Sequence, residues 1–260
     1  KTPVIIHKTV LTTGIPEAVL AEKLEPWENA LPENVKLAYL PSPGRNRLRL
    51  TGFGSNATEI ANGLNRQIEK LYAYIPEAIF GFDDESLEQV VGDLLRENKL
   101  TLATAESCTG GNIARLVTAV PGASLYFAGG AVAYSNAIKQ KDLQVPEELL
   151  IKHGAVSEQV VRAMATGAQN HFNTDFTVAV TGIAGPGGGS PEKPVGTVWF
   201  AVATPQKVVA QKLGFGDNRN RNIIRSTATA FNMLRLQVLQ YLGLGERYHF
   251  QKSKDNQQVI

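Results

Sequence analysis

Ala105-Glu106-Ser107-Cys108-Thr109-Gly110-Gly111 is the stretch on which the fold of this chain turns. Before it, Leu100 to Ala105 has the character of a short buried strand. After it, Thr109 to Val120 spaces its apolar residues as a helix does. A strand that passes through a tight turn of small residues into a helix is the unit from which α/β layer folds are built. Backbone N–H groups at such a turn lack helical partners, so the site can hold an anion or a developing oxyanion. Ser107 or Cys108 then stands beside those donors, where a nucleophile for acyl transfer is useful. Ser107 or Thr109 would equally serve as a plain helix cap.

The strand and helix alternation continues outward from this segment. Upstream, Ser86 and Gln89 have the spacing of a capping box for a helix carrying Leu87, Val90, Val91, Leu94 and Leu95. Downstream, Ala128 to Tyr134 reads as a strand, Ser157 as the cap of a helix reaching His171, and Phe176 to Val180 as a buried strand. Val195 to Ala203 and Val208 to Gly214 suggest an edge hairpin, and a last helix is expected over about Arg221 to Leu242.

The first seventy or so residues have a different texture, that of a small α+β unit. Thr2 to Leu11 is apolar and β-branched enough for a strand, and Pro16-Glu17 opens a helix through Val19, Leu20 and Leu24. Val35 to Leu40 and Arg47 to Thr51 form a hairpin pattern around Pro41-Ser42-Pro43-Gly44, followed by a helix from about Asn56 to Leu71. The expected division is a domain at 1–72, a linker at 73–85 marked by Pro76, Gly81, Asp83 and Asp84, a second domain at 86–244, and a polar, mobile tail at 245–260.

Composition bounds the function. With 260 residues, 43% of them hydrophobic, the chain can bury two cores. Its 26 basic and 24 acidic side chains leave a net charge of +2, so any contact with nucleic acid or acidic lipid must come from a local patch. A single cysteine forms neither an internal disulfide nor a multi-thiolate metal site, which makes a reducing, cytoplasmic setting the expectation. No apolar run approaches the roughly 18 residues of a membrane span. The chain opens on Lys1 and enters Val4-Ile5-Ile6 directly, so it is expected to be a piece of a longer protein.

A serine nucleophile needs a base. None of the four histidines, His7, His153, His171 and His249, lies in a motif. Tyr134-Ser135-Asn136-Ala137-Ile138-Lys139 instead follows a strand end with a lysine; partly withdrawn from water, such a lysine has a lowered pKa and can accept the serine proton. A solvated helix lysine has the same pattern. The loop Thr181-Gly182-Ile183-Ala184-Gly185-Pro186-Gly187-Gly188-Gly189 again follows a strand and permits close approach to a phosphate or ribose, or is a plain surface loop. It fits neither the P-loop nor the dinucleotide fingerprint. Arg219, Arg221 and Arg225 gather at the start of the final helix, where they could grip a phosphate or be solvated.

These motifs, with Gly130 to Asn136, Gly154-Ala155-Val156-Ser157 and Gly196-Thr197-Val198 in the same order, make residues from about Ser86 to Leu242 resemble the C-terminal domain of the CinA family, also found alone as the nicotinamide mononucleotide deamidase PncC. The first seventy residues resemble the KH-type middle domain of that family. The resemblance implies a three-layer α/β/α deamidase domain behind a small α+β KH-type domain, and a preceding MoaB-like pyrophosphatase domain that this sequence does not contain.

It further implies hydrolysis of nicotinamide mononucleotide to nicotinate mononucleotide and ammonia, with no cofactor and no metal. Carried over by position, Ser107 resembles the nucleophile, Lys139 the general base and Tyr134 its assistant. Thr181 and Arg221 resemble substrate-contacting positions, and Cys108, Thr109, Gly110, Gly111 and Gly182 join them as expected substrate-binding residues. The family's Gly-Asp-Arg is here Gly216-Asp217-Asn218-Arg219-Asn220-Arg221, so Arg219 competes with Arg221, which is preferred for its spacing from Arg225. Backbone donors around Cys108 to Gly110 are expected to receive the oxyanion. A homodimer or higher homo-oligomer is implied and membrane binding is not. The turn Gly44-Arg45-Asn46-Arg47 lacks the second glycine of a KH clamp, so nucleic acid is not the expected partner, although Arg45, Arg47 and Arg49 leave binding or assembly through this domain as the alternative.

Overall fold

The structure, a computed structural model, describes residues 4–257. The start of the expected first strand, before Val4, lies outside them. Contacts divide the chain into two units, residues 1–87 with 243–260, and residues 88–242.

In the first unit, β1 (Val4–Thr13), α1 (Glu17–Asn29), β2 (Val35–Ser42), β3 (Arg45–Gly54), α2 (Ala57–Leu71) and β4 (Ile79–Phe82) build an antiparallel sheet of order β2-β3-β1-β4 with α2 against β1 and β3. Strand alternation makes β3 two-faced: Leu48 and Leu50 are buried with Val10, Leu20, Leu24, Leu64 and Ile68, while Arg45, Arg47 and Arg49 face solvent. Asn56 caps α2, its side chain accepting from the N–H groups of Thr58 and Glu59. The expected linker carries β4. Its proline, glycine and aspartates read as loop, but Ile79, Phe80 and Phe82 between them are buried, and Val10 and Leu11 pair with Phe82 and Gly81.

In the second unit, α3 (Leu87–Glu97) leads into β5 (Leu102–Glu106), α4 (Asn112–Thr118), β6 (Phe127–Val132), α5 (Asn136–Leu143), α6 (Glu147–His153), α7 (Glu158–Phe172), β7 (Phe176–Gly182), β8 (Thr197–Ala203), β9 (Val208–Gly214) and α8 (Arg219–Tyr241). The sheet order is β6-β5-β7-β8-β9, with β6, β5 and β7 parallel and β8 and β9 added antiparallel at one edge. Ala105, Ala179, Ala201 and Ala203 pack on Met164, Ala165 and Ala168 of α7, and α8 lies against β7, β8 and α4, so helices cover both faces. The short helices α5 and α6 escaped the sequence reading because neither shows a long apolar stripe. The last helix, α9 (Tyr248–Gln257), returns to the first unit. Where a mobile tail was expected, Phe250 is buried with its ring centroid 5.7 Å from each of Tyr72 and Phe82. Burying one such aromatic ring contributes about 1.5–3 kcal/mol to docking this helix.

Gly167 lets α5 approach α7. A Cβ there would collide with the carbonyl oxygen of Leu143 at the end of α5. Glycine to alanine inside a helix normally stabilises by up to about 1 kcal/mol. Here the collision with rigid backbone reverses the sign, and Gly167→Ala is expected to lower stability by about 1–3 kcal/mol in a chemical denaturation experiment.

Candidate active site

The chain runs from β5 to β6 on one side of it and later to β7 on the other, which makes the carboxyl end of β5 the switch point of the sheet. Crevices at such ends are where open α/β sheets bind ligands. Ser107 is the first residue beyond β5, and its N–H still bonds Val180 O at 2.9 Å. Ala133 and Tyr134 follow β6, and Thr181-Gly182 closes β7. Three adjacent strand ends therefore deliver the three main motifs to one place, a cavity of about 230 Å³.

Lys139 comes from α5, whose first turn is capped by Ser135 accepting from Ile138 N–H. It is 1% exposed, and its Nζ donates to Ala133 O at 2.7 Å, to Ser107 Oγ at 3.0 Å and to Tyr134 O at 3.5 Å. Burial lowers its pKa from the usual 10.5 to about 8, with Cys108 acting in the other direction. Cys108, beside Ser107, is displaced the opposite way. Burial pushes its thiol up to about 12; its own main-chain N–H and the charges of Lys139 and Arg219 oppose the rise, and Glu106 adds to it. The serine thus holds the hydrogen bond to the amine, while the thiol is kept protonated and poorly nucleophilic.

Ser107, Cys108, Tyr134, Lys139, Thr181 and Gly182 all line the cavity. Thr181 Oγ1 donates to Ala155 O at 2.9 Å, tying β7 to the segment before α7. Tyr134 is 60% exposed, and its hydroxyl accepts from Arg219 Nη2 at 3.0 Å rather than meeting Lys139; only its main-chain oxygen does that. Arg219 also donates to Gly185 O at 2.9 Å and lines the cavity, whereas Arg221, preferred from the sequence, is not among the lining residues. At the first position of α8 the side chain of Arg219 reaches across to the glycine-rich loop.

Thr109, Gly110 and Gly111 do not line the cavity either. The expected run of free donors from Cys108 to Gly110 is narrower in the structure: Gly110 N–H bonds Ser107 O at 3.0 Å, and Gly111 N–H bonds Glu106 Oε2 at 3.1 Å. Among the described residues this leaves the Cys108 N–H with no partner but its own side-chain sulfur and the Thr109 N–H without a main-chain partner.

Several contributors were not foreseen. Asn136, Ala155, Val156 and Ala184 complete the lining. Asn222 is 1% exposed and holds the glycine-rich loop to α8 by donating to Ala184 O at 3.0 Å and Gly216 O at 2.7 Å. Glu106 stood in the opening motif, but an acid at a strand end looks no different in sequence from a surface residue. Among the described residues no group of three or more His, Cys, Asp and Glu side chains is placed to hold a metal, and no helix is long and apolar enough to cross a membrane.

Residues 84–238 match the family model of the CinA C-terminal domain, and residues 7–81 that of the damage-inducible protein CinA KH domain. The chain belongs to the CinA family. It is 46% identical over 238 residues to a CinA-like protein of Cytophaga hutchinsonii and 47% identical over 239 residues to one of Flavobacterium psychrophilum. Each match covers 92% of this CinA chain but 57% of the relative, so the chain spans little more than half the length of these relatives. Among solved structures, a competence-damaged protein (CinA) superfamily protein from Klebsiella pneumoniae superposes with a TM-score of 0.58 at 34% identity, covering 59% of this chain and 96% of the other. A competence/damage inducible protein from Agrobacterium tumefaciens gives 0.56 at 39% identity over 58% of this chain and 96% of its own.

Proposed function

We propose that the second unit is an amidohydrolase that converts nicotinamide mononucleotide to nicotinate mononucleotide and ammonia, within cytoplasmic nucleotide recycling. The observation that carries this reading is the 3.0 Å contact between a buried Lys139 amine and the Ser107 hydroxyl at the switch point of the sheet. Lys139 in its neutral form takes the Ser107 proton as Oγ attacks the carboxamide carbon. The negative oxygen is received by the N–H of Cys108, which lines the cavity beside Ser107. Lys139 returns the proton to the leaving nitrogen, ammonia departs, and a water molecule deprotonated by the same amine releases the acid from Ser107.

The cavity, smaller than the roughly 300–1,000 Å³ usual for a whole ligand, suits the pyridine ring and carboxamide, with the ribose phosphate extending to the rim. Arg219, exposed at that rim and already oriented by Tyr134 and Gly185, supports recognition of the phosphate. The test is ammonia release from nicotinamide mononucleotide, nicotinamide riboside and nicotinamide. The mononucleotide is expected to be strongly preferred, and equal rates on all three would sink the reading. Arg219→Ala should raise KM for the mononucleotide by about 10–100-fold, the worth of one charge-assisted contact, and leave the riboside little changed. Arg221→Ala should alter neither.

A further inference from the structure

Among the described residues Glu106 is the one buried acidic side chain, 0% exposed, and it sits behind the cavity rather than in its wall. Its Oε2 accepts from the N–H groups of Gly111 at 3.1 Å and Ile113 at 3.0 Å, and its Oε1 from Ala114 at 2.8 Å. These are the donors that the first turn of α4 cannot satisfy for itself, and Gly111, at the cap position with φ of 92°, has no side chain to help. The cap is supplied from the preceding strand instead. Ser107 N–H to Val180 O and Gly110 N–H to Ser107 O close the rest of the turn. The backbone N–H groups of Ser107, Gly110 and Gly111 are thereby committed, while those of Cys108 and Thr109 bond no other residue among those described.

We propose that Glu106 is a positioning residue for acyl transfer: it clamps the turn between β5 and α4 so that the N–H of Cys108, which lines the cavity beside Ser107, is held to receive the oxyanion formed at Ser107. This rests on the amidohydrolase reading. Glu106 touches no substrate and acts through backbone geometry. Both carboxylate oxygens are needed, since glutamine in its place would accept through one oxygen and turn an NH2 group toward another N–H.

The test compares the full chain with Glu106→Gln and Glu106→Asp, using nicotinamide mononucleotide as substrate and pyridine-3-boronic acid as a tetrahedral probe. Boron accepts an electron pair from Ser107 Oγ, the serine proton passes to Lys139, and a boron-bound hydroxyl occupies the oxyanion position. Glu106→Gln is expected to lower kcat by about 10²–10³-fold, as for loss of an oxyanion donor, to leave KM within about threefold, and to raise the boronate Ki by the same factor as kcat falls. The pH midpoint should stay at the wild-type value, and Glu106→Asp, with both oxygens on a shorter arm, should fall between. Wild-type kcat in the Gln variant overturns the proposal. So does a fall in kcat with an unchanged Ki, or a shifted midpoint, which would place the effect on Lys139. If Glu106→Gln does not fold, the Asp variant carries the same comparison. A wild-type protein that binds the boronate at Ser107 but does not hydrolyse the mononucleotide defeats only the substrate reading, and Ki then decides the proposal. One that fails to bind the boronate defeats the proposal itself.

Discussion

Ser107→Ala is expected to reduce ammonia release by at least about 10⁴-fold, the scale seen when a nucleophile is removed from a site that otherwise stays intact. Substrate affinity, read by calorimetric titration, should change little. The hydroxyl lies at the end of β5 and alanine keeps the backbone bond to Val180 O. Cys108→Ala should retain most of the activity, because burial holds the thiol protonated up to about pH 12. The two variants form one experiment: an inactive Cys108→Ala beside an active Ser107→Ala would make the thiol the nucleophile and invert the mechanism.

Lys139→Met is expected to abolish turnover and, at the same time, to stabilise the fold. In the proposed mechanism, removing the amine leaves Ser107 without a base. Below its lowered pKa the buried amine carries a charge that the fold disfavours, and a methionine of similar length removes that cost while giving up the bonds to Ala133 O and Ser107 Oγ. In the wild type kcat/KM should rise with pH and level off above about 8, because only the neutral amine accepts the serine proton. The stability sign follows from the same shift. The folded value lies below the unfolded 10.5, so the unfolded chain holds more protons between about 8 and 10.5 and wild-type stability gains with rising pH across that window. The stabilisation from Lys139→Met should therefore be largest near neutral pH and shrink by pH 10.5. A constant difference in melting temperature over that range would show that Lys139 is not held in a disfavoured charged state.

Much of the architecture was legible because its signals are local. The α2 and α7 helices announce themselves by apolar spacing and by Asn56 and Ser157 at their caps. The β2–β3 hairpin follows from alternation around Pro41 to Gly44. The misread elements have local signals that point the wrong way. The β4 strand is four residues framed by loop formers, and α9 is polar but for Phe250; each is ordered by a core that contacts near in sequence cannot show.

The same division runs through the site. The sequence alone determined which chemistry-bearing residues are present, that Ser107 and Thr181 end strands, and that Lys139 follows another, because strand ends are written in local composition. Only the tertiary structure decided that β6 and β7 flank β5, which sets Lys139 Nζ 3.0 Å from Ser107 Oγ. The burial that lowers the Lys139 amine and raises the Cys108 thiol is itself a product of tertiary packing, since desolvation depends on everything packed around a group. The choice of Arg219 over Arg221 at the rim likewise came from the direction in which the first turn of α8 aims its side chains. In the motif on which the fold turns, Glu106 gained its place from three backbone N–H groups that only folding brings within reach.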